Sequence, residues 1–132
     1  MRWVQISGDP YTIGCRLGEL AGDAFANVLG QIGRYREVLQ EWGDSEYLGE
    51  LERAGRATFP RLMREIDGIA DGAGVPFGTA FAWNCRGDFP GGGEQTALAG
   101  CTDVMGLSRR GAFMAHNEDD QPELDGRCFM VE

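Results

Sequence analysis

The sequence predicts an α+β chain, with a mainly helical segment over residues 1–100 followed by a strand-forming segment over 101–132. Apolar residues recur at steps of three and four as far as Ala82, the period of buried helical faces. A glycine-rich, low-complexity stretch from Phe89 to Ala99 then breaks that pattern and marks a natural boundary. Beyond it, two short strand-like runs flank Ser108-Arg109-Arg110-Gly111, which reads as a hairpin turn.

Trp3 to Ile6 predicts a short opening strand, and Asp9-Pro10 an N-cap with proline at the first helical position. Ile13, Leu17, Leu20, Ala24 and Val28 form one apolar face of a long helix that Tyr35, Val38 and Leu39 extend. Gly14, Gly18 and Gly22 fall four residues apart on it. Each costs up to about 1 kcal/mol against alanine, so the stripe implies either a closely packed second backbone or a kinked helix. Trp42-Gly43-Asp44 ends this element, and Asp44 or Ser45 caps a second helix carrying Tyr47, Leu48, Leu51 and Ala54.

Pro60 opens a third helix. Its apolar face is Leu62, Met63, Ile66, Ile69 and Ala70, with Arg61, Arg64, Glu65 and Asp67 turned outward and Gly72 or Gly74 at its end. A short fourth helix over 78–86 follows. Asn84, Arg86 and Asp88 are placed to hydrogen-bond that helix end to the next loop. The Arg86-Gly87-Asp88 tripeptide matches an adhesion motif too short to outweigh this structural reading. Thr102–Leu107 and Ala112–Asn117 are the hairpin strands, 121–126 a loop, and Arg127–Val131 a third strand.

The net charge of -9 and pI of about 4.5 exclude an extended phosphate-binding surface, and with it a nucleic-acid partner. All 12 basic residues are arginine and they are scattered. A mean hydropathy of -0.30 and 42% hydrophobic residues suit a soluble chain with a modest core. No apolar run reaches membrane-spanning length and no signal-peptide pattern opens the sequence, so a cytoplasmic protein without a membrane partner is expected. The four cysteines, Cys15, Cys85, Cys101 and Cys128, lack CxxC spacing, which disfavours zinc and fits reduced thiols.

Gly100-Cys101 lies where the glycine-rich stretch meets the first hairpin strand. A cysteine after glycine can attack the preceding carbonyl and pass the acyl group from nitrogen to sulfur, after which water opens the thioester. The product is an N-terminal cysteine that carries a thiol and an amine on one residue. Taken alone, Cys101 also reads as a buried structural thiol.

The residues around this site resemble the autoproteolytic N-terminal-nucleophile (Ntn) hydrolases related to isopenicillin N acyltransferase, the acyl-CoA:6-aminopenicillanate acyltransferase family. Gly100-Cys101-Thr102 is similar to the processing site of that family, and His116-Asn117-Glu118-Asp119 to the strand-end motif that follows it. Gly8-Asp9-Pro10-Tyr11-Thr12-Ile13-Gly14, Glu65-Ile66-Asp67-Gly68-Ile69-Ala70-Asp71-Gly72-Ala73 and Asn84-Cys85-Arg86-Gly87-Asp88-Phe89 extend the resemblance in the same order.

The resemblance implies a helical pro-segment over 1–100 and the first strands of an αββα sandwich over 101–132. The chain then reads as the N-terminal portion of a precursor, or zymogen. It implies a cysteine amidohydrolase or N-acyltransferase acting on amide carbon–nitrogen bonds, with no cofactor, and with small-molecule amides or acyl-CoA as substrates.

In that reading Cys101 is the nucleophile, Asp119 holds its freed amine and Asn117 fixes the strand end. Arg86 positions the loop or contacts substrate. His116 stands where related bile-salt hydrolases usually carry arginine, and otherwise reads as a partly exposed strand residue. A metal site from His116, Glu118, Asp119 and Asp120 is disfavoured because adjacent strand residues face opposite ways. The segment alone is expected to lack a complete active site and to self-associate through an open sheet edge. A second function class is a non-catalytic helical module, a degenerate relative that binds a partner through the glycine-striped helix.

Overall fold

The computed structural model describes residues 2–90, 101–117 and 122–132. Strand β1 (Arg2–Val4) leads into helices α1 (Pro10–Asn27), α2 (Gly33–Trp42), α3 (Glu46–Thr58), α4 (Pro60–Ala73) and α5 (Phe77–Asn84). Strands β2 (Thr102–Ser108), β3 (Gly111–Asn117) and β4 (Phe129–Val131) follow. The described chain is therefore α+β and dominated by helix.

Helix α1 begins as the sequence dictates. Asp9 Oδ1 accepts a hydrogen bond from the Thr12 backbone N–H at 3.0 Å, and Pro10 supplies the first helical φ. That backbone bond holds the Asp9 carboxyl below its ordinary pKa. The helix stops at Asn27 instead of running on to Leu39, because a 3-10 turn at Leu29–Gln31 and an extended Ile32 redirect the chain into α2. The redirection turns Val28, Leu29 and Ile32 inward, where Leu29, Ile32 and Tyr35 form a small core with Phe25, Leu39, Trp83 and Leu124 around it. The periodicity spans two helices, and the break between them serves burial.

The glycine stripe of α1 meets a second one on α4. A Cβ built on Gly14 would sit 2.0 Å from the Glu65 carbonyl oxygen, and one on Gly18 2.2 Å from that of Ile69. In return, a Cβ on Gly68 would lie 2.2 Å from the Tyr11 carbonyl oxygen and one on Gly72 2.1 Å from that of Cys15. Four glycines thus bring two backbones into direct contact along helices whose contacts ascend together. Tyr11 Oη donates to Asp71 Oδ2 at 2.6 Å across the same seam, and the Arg64 guanidinium lies 4.7 Å from the Tyr11 ring centre.

Ser45 caps α3 by accepting from the Leu48 N–H at 3.1 Å, and Gly74, at φ 69°, closes α4 in the left-handed region open to glycine. Leu62 departs from its expected place on the apolar face of α4 and is 59% exposed, because the contact face is rotated toward Gly68 and Gly72. The main core joins Val38, Leu48, Met63, Phe81, Ala82, Cys85 and Phe89. Phe89, expected as the first residue of a loose loop, is instead buried and stacked on Trp42 at 5.0 Å between ring centres. Helical packing therefore extends to the edge of the glycine-rich stretch.

The strands form two separate pairs. β2 and β3 make an antiparallel hairpin, whereas β4 pairs in parallel with β1, in the register Arg2↔Phe129 to Val4↔Val131. The expected third hairpin strand is thus a partner of the opening strand. The Ile6 N–H donates to the Glu132 carbonyl at 2.9 Å, the Glu132 N–H to that of Val4 at 3.0 Å, and Arg127 pairs with Asp23 of α1. These bonds hold β4 against β1 and the helices. Among the described residues no helix is long and apolar enough to cross a membrane.

Candidate functional site

The hairpin turn sets the geometry around Cys101. Ser108 pairs with Gly111 across a two-residue loop; Ser108 Oγ accepts from the Arg110 N–H at 3.1 Å and donates to the Gly111 carbonyl at 3.0 Å. Gly111 takes φ 128°, a conformation side-chain-bearing residues rarely adopt. Every later pair follows from this turn: Leu107↔Ala112, Gly106↔Phe113, Met105↔Met114, Val104↔Ala115, Asp103↔His116 and Thr102↔Asn117. Cys101 comes one residue ahead of β2 and is exposed, so it is not the buried structural thiol that its residue type alone allows.

The register places Asp103, Met105 and Leu107 of β2 on one face with Ala112, Met114 and His116 of β3. His116 Nδ1 donates to Asp103 Oδ1 at 2.8 Å. One end of the face is thus an imidazole–carboxylate pair, and the rest is an apolar band. Met105, Met114 and Leu107 are 75%, 69% and 88% exposed. On the opposite face Val104 and Phe113 are also exposed. Both faces of the hairpin are apolar, the pattern of a strand pair made to be covered on each side.

The expected site residues are brought together only in part. His116 pairs with Asp103, two residues after Cys101, and Asn117 stands opposite Thr102 at the cysteine end of the ladder. Gly100 and Asp119 lie outside the described residues, as do Glu118 and Asp120 of the disfavoured metal set. Arg86 is engaged within the helical part: its Nη1 donates to the Trp83 carbonyl at 3.1 Å and its guanidinium lies 4.7 Å from the centre of that indole. The expected link to the next loop runs through main-chain atoms, with the Asp88 N–H donating to Cys85 at 2.8 Å and Tyr47 Oη to the Asp88 carbonyl at 3.4 Å.

Asp103 is the site residue that sequence reasoning passed over. The signal was present, because a two-residue turn at Arg109-Arg110 fixes the whole register and sets Asp103 opposite the single histidine.

Of the other thiols, Cys85 is a core residue whose pKa is pushed up to about 11, first by burial and then by the nearby Asp88 charge. Cys128 borders a cavity of about 420 Å³ walled by Leu20, Phe25, Leu29, Trp83 and Phe129, away from the hairpin. No protein-family model matches this chain. No curated protein matches it significantly either.

Proposed function

We propose that the chain belongs to a self-cleaving precursor of a cysteine amidohydrolase or N-acyltransferase of the Ntn class, and that it is cut between Gly100 and Cys101. The observation that carries this reading is the placement of Cys101: exposed, directly after a glycine, and at the entry to a hairpin that is apolar on both faces. The ordered set of motifs from Gly8 to Asp119 supports it, and a twice-covered hairpin suits the inner layers of an αββα sandwich.

In the processing step the Cys101 thiolate adds to the Gly100 carbonyl carbon and the carbon–nitrogen bond breaks. Its nitrogen leaves as an amine, and water opens the resulting thioester to give a Gly100 carboxylate and a free thiol. In turnover the same thiol attacks a substrate amide or acyl-CoA, while the α-amine of Cys101 moves the proton. Asp119 supports the ammonium form of that amine, and Asn117 fixes the strand end. The substrate class is an amide of the penicillin, β-alanyl or small-peptide type.

Intact-mass measurement tests the reading. The chain should break before Cys101, Cys101→Ala should abolish the break and Cys101→Ser should slow it. Efficient scission of the alanine variant, or a new N-terminus elsewhere, overturns it. The second reading, a helical binding module, loses its surface, because Gly14 and Gly18 are buried against α4 within the chain.

A further inference from the structure

The cavity of about 420 Å³ beside Cys128 lies between the helices and the β1–β4 pair, and no described residue of the hairpin lines it. Its volume falls within the range of small-molecule sites. Helix α1 supplies Leu20, Ala21, Ala24 and Phe25, and α5 adds Trp83. Leu124 and Phe129 come from the chain that leads into β4 and from its first residue. The two alanines leave space that larger side chains on α1 would fill. Bonds made elsewhere hold the walls in place: β4 is paired with β1, Arg127 with Asp23, and the Arg127 N–H donates to the Leu124 carbonyl at 3.0 Å. Both walls are therefore fixed by contacts that need no ligand.

The lining divides into an apolar interior and a charged rim. The wall side chains are aliphatic or aromatic, and among the described residues no buried side-chain polar atom lacks a hydrogen-bond partner. The interior thus asks for no polar group from an occupant. Arg2, Asp23 and Arg127 stand at the exposed rim. Asp23 neutralises Arg127, whereas the Arg2 side chain has no hydrogen bond or ion pair with any described residue. In a chain of net charge -9, the mouth of this cavity carries one surplus positive charge.

We infer that the cavity binds a small monocarboxylate with an apolar body of about ten carbon atoms, the body between the walls and the carboxylate on Arg2. A guanidinium offers two parallel N–H donors that a carboxylate accepts together. At about 30 Å³ for each non-hydrogen atom, the share of a water molecule in the liquid, 420 Å³ holds about 14 such atoms, close to the size of a ten-carbon carboxylate. The site is separate from Cys101, and the proposal holds whether or not the chain is cut.

Decanoate is the probe, followed by isothermal titration calorimetry and by the rate at which iodoacetamide alkylates Cys128, with the exposed Cys101 as reference thiol in mass spectrometry. It should bind with a Kd of about 0.1 mM and, at about 1 mM, slow alkylation of Cys128 about tenfold while leaving Cys101 unchanged. Decanol and decyltrimethylammonium should bind at least about tenfold more weakly, because neither brings a carboxylate to Arg2. Arg2→Gln should weaken decanoate about tenfold and leave decanol unchanged. Ala24→Leu fills the cavity and should abolish the protection of Cys128, with circular dichroism showing the helices intact. Should Ala24→Leu unfold them, Arg2→Gln, at an exposed position, still decides the case.

Failure of decanoate to protect Cys128 up to about 2 mM overturns the proposal. So does binding that leaves Cys128 unprotected, which would place decanoate on the exposed faces of the hairpin. Equal affinity for decanoate and decanol overturns the anionic class of ligand. Protection of Cys128 by raised protein concentration alone would show that a second copy of the chain fills the cavity instead.

Discussion

The helices and the hairpin solve the problem of apolar surface in opposite ways. In α1 and α4 the contact is backbone on backbone, made possible by glycines that leave no side chain between the helices. In the main core, formed by α2 to α5, Val38, Leu48, Met63, Phe81 and Phe89 are buried from water. The hairpin has as regular a ladder, yet Met105, Leu107, Phe113 and Met114 remain largely exposed on its two faces. Hydrogen bonds close the hairpin but do not give it a core. Among the described residues the helices bury a core between them, whereas the hairpin that follows Cys101 leaves apolar side chains exposed on both faces.

The sharpest way to break this contrast is to put a side chain into the helical seam. Gly68→Val should lower stability by about 3 kcal/mol, because the new carbon meets the Tyr11 carbonyl and neither backbone can step aside. The melting temperature, read by circular dichroism, should fall by about 10 °C. A loss below about 1 kcal/mol would mean that the helices separate easily and that the seam is not what holds them.

On the other side of the contrast, Leu107→Glu with Phe113→Glu should leave helix melting unchanged while weakening concentration-dependent self-association at least tenfold, about 1.4 kcal/mol. Sedimentation velocity across a concentration series reads this directly. If the doubly charged variant associates as strongly as the parent, the hairpin is not the sticky surface. A drop in helix melting of more than about 0.5 kcal/mol would show instead that the hairpin supports the helices.

The smallest expected effect is a pH dependence confined to the seam. Tyr11 donates to Asp71, and that bond, followed by the contact with Cys15, pushes its pKa up to about 12 from an ordinary 10. Between those values the folded state holds a proton that the unfolded chain has lost. The stabilisation is therefore complete below pH 10 and disappears as pH rises toward 12. Melting temperature measured over that window should decline in the parent and less steeply in Tyr11→Phe. Equal slopes would show that the phenol contributes nothing across the seam.

Much of the helical part could be read from the chain. Asp9-Pro10 and the pair Asp44 or Ser45 announced helix starts through capping chemistry, and Gly72 or Gly74 an end; the structure selects Ser45 and Gly74. The stripe of Gly14 and Gly18 pointed to a close backbone. Its partner was not identified, because Gly68 and Gly72 sat inside a pattern that also fitted an ordinary apolar face containing Leu62. The same ambiguity hid the break between α1 and α2, since buried positions continue at helical spacing on both sides of it. The candidate site was legible through its turn, which fixed Cys101 at the ladder's entrance, but Asp103 drew no notice until its cross-strand partner was paired with it.

The sequence by itself determined the local elements, because caps, turns and periodicity act within a few residues and need no distant contact. It also determined which residue is the nucleophile candidate, since Gly100-Cys101 is a covalent neighbourhood. Only the tertiary structure decided that four glycines from two helices face one another, that β4 joins β1 instead of the hairpin, and that Phe89 belongs to the core. Those outcomes depend on which of several equally apolar surfaces meet, and burial is non-directional until shape selects the partner.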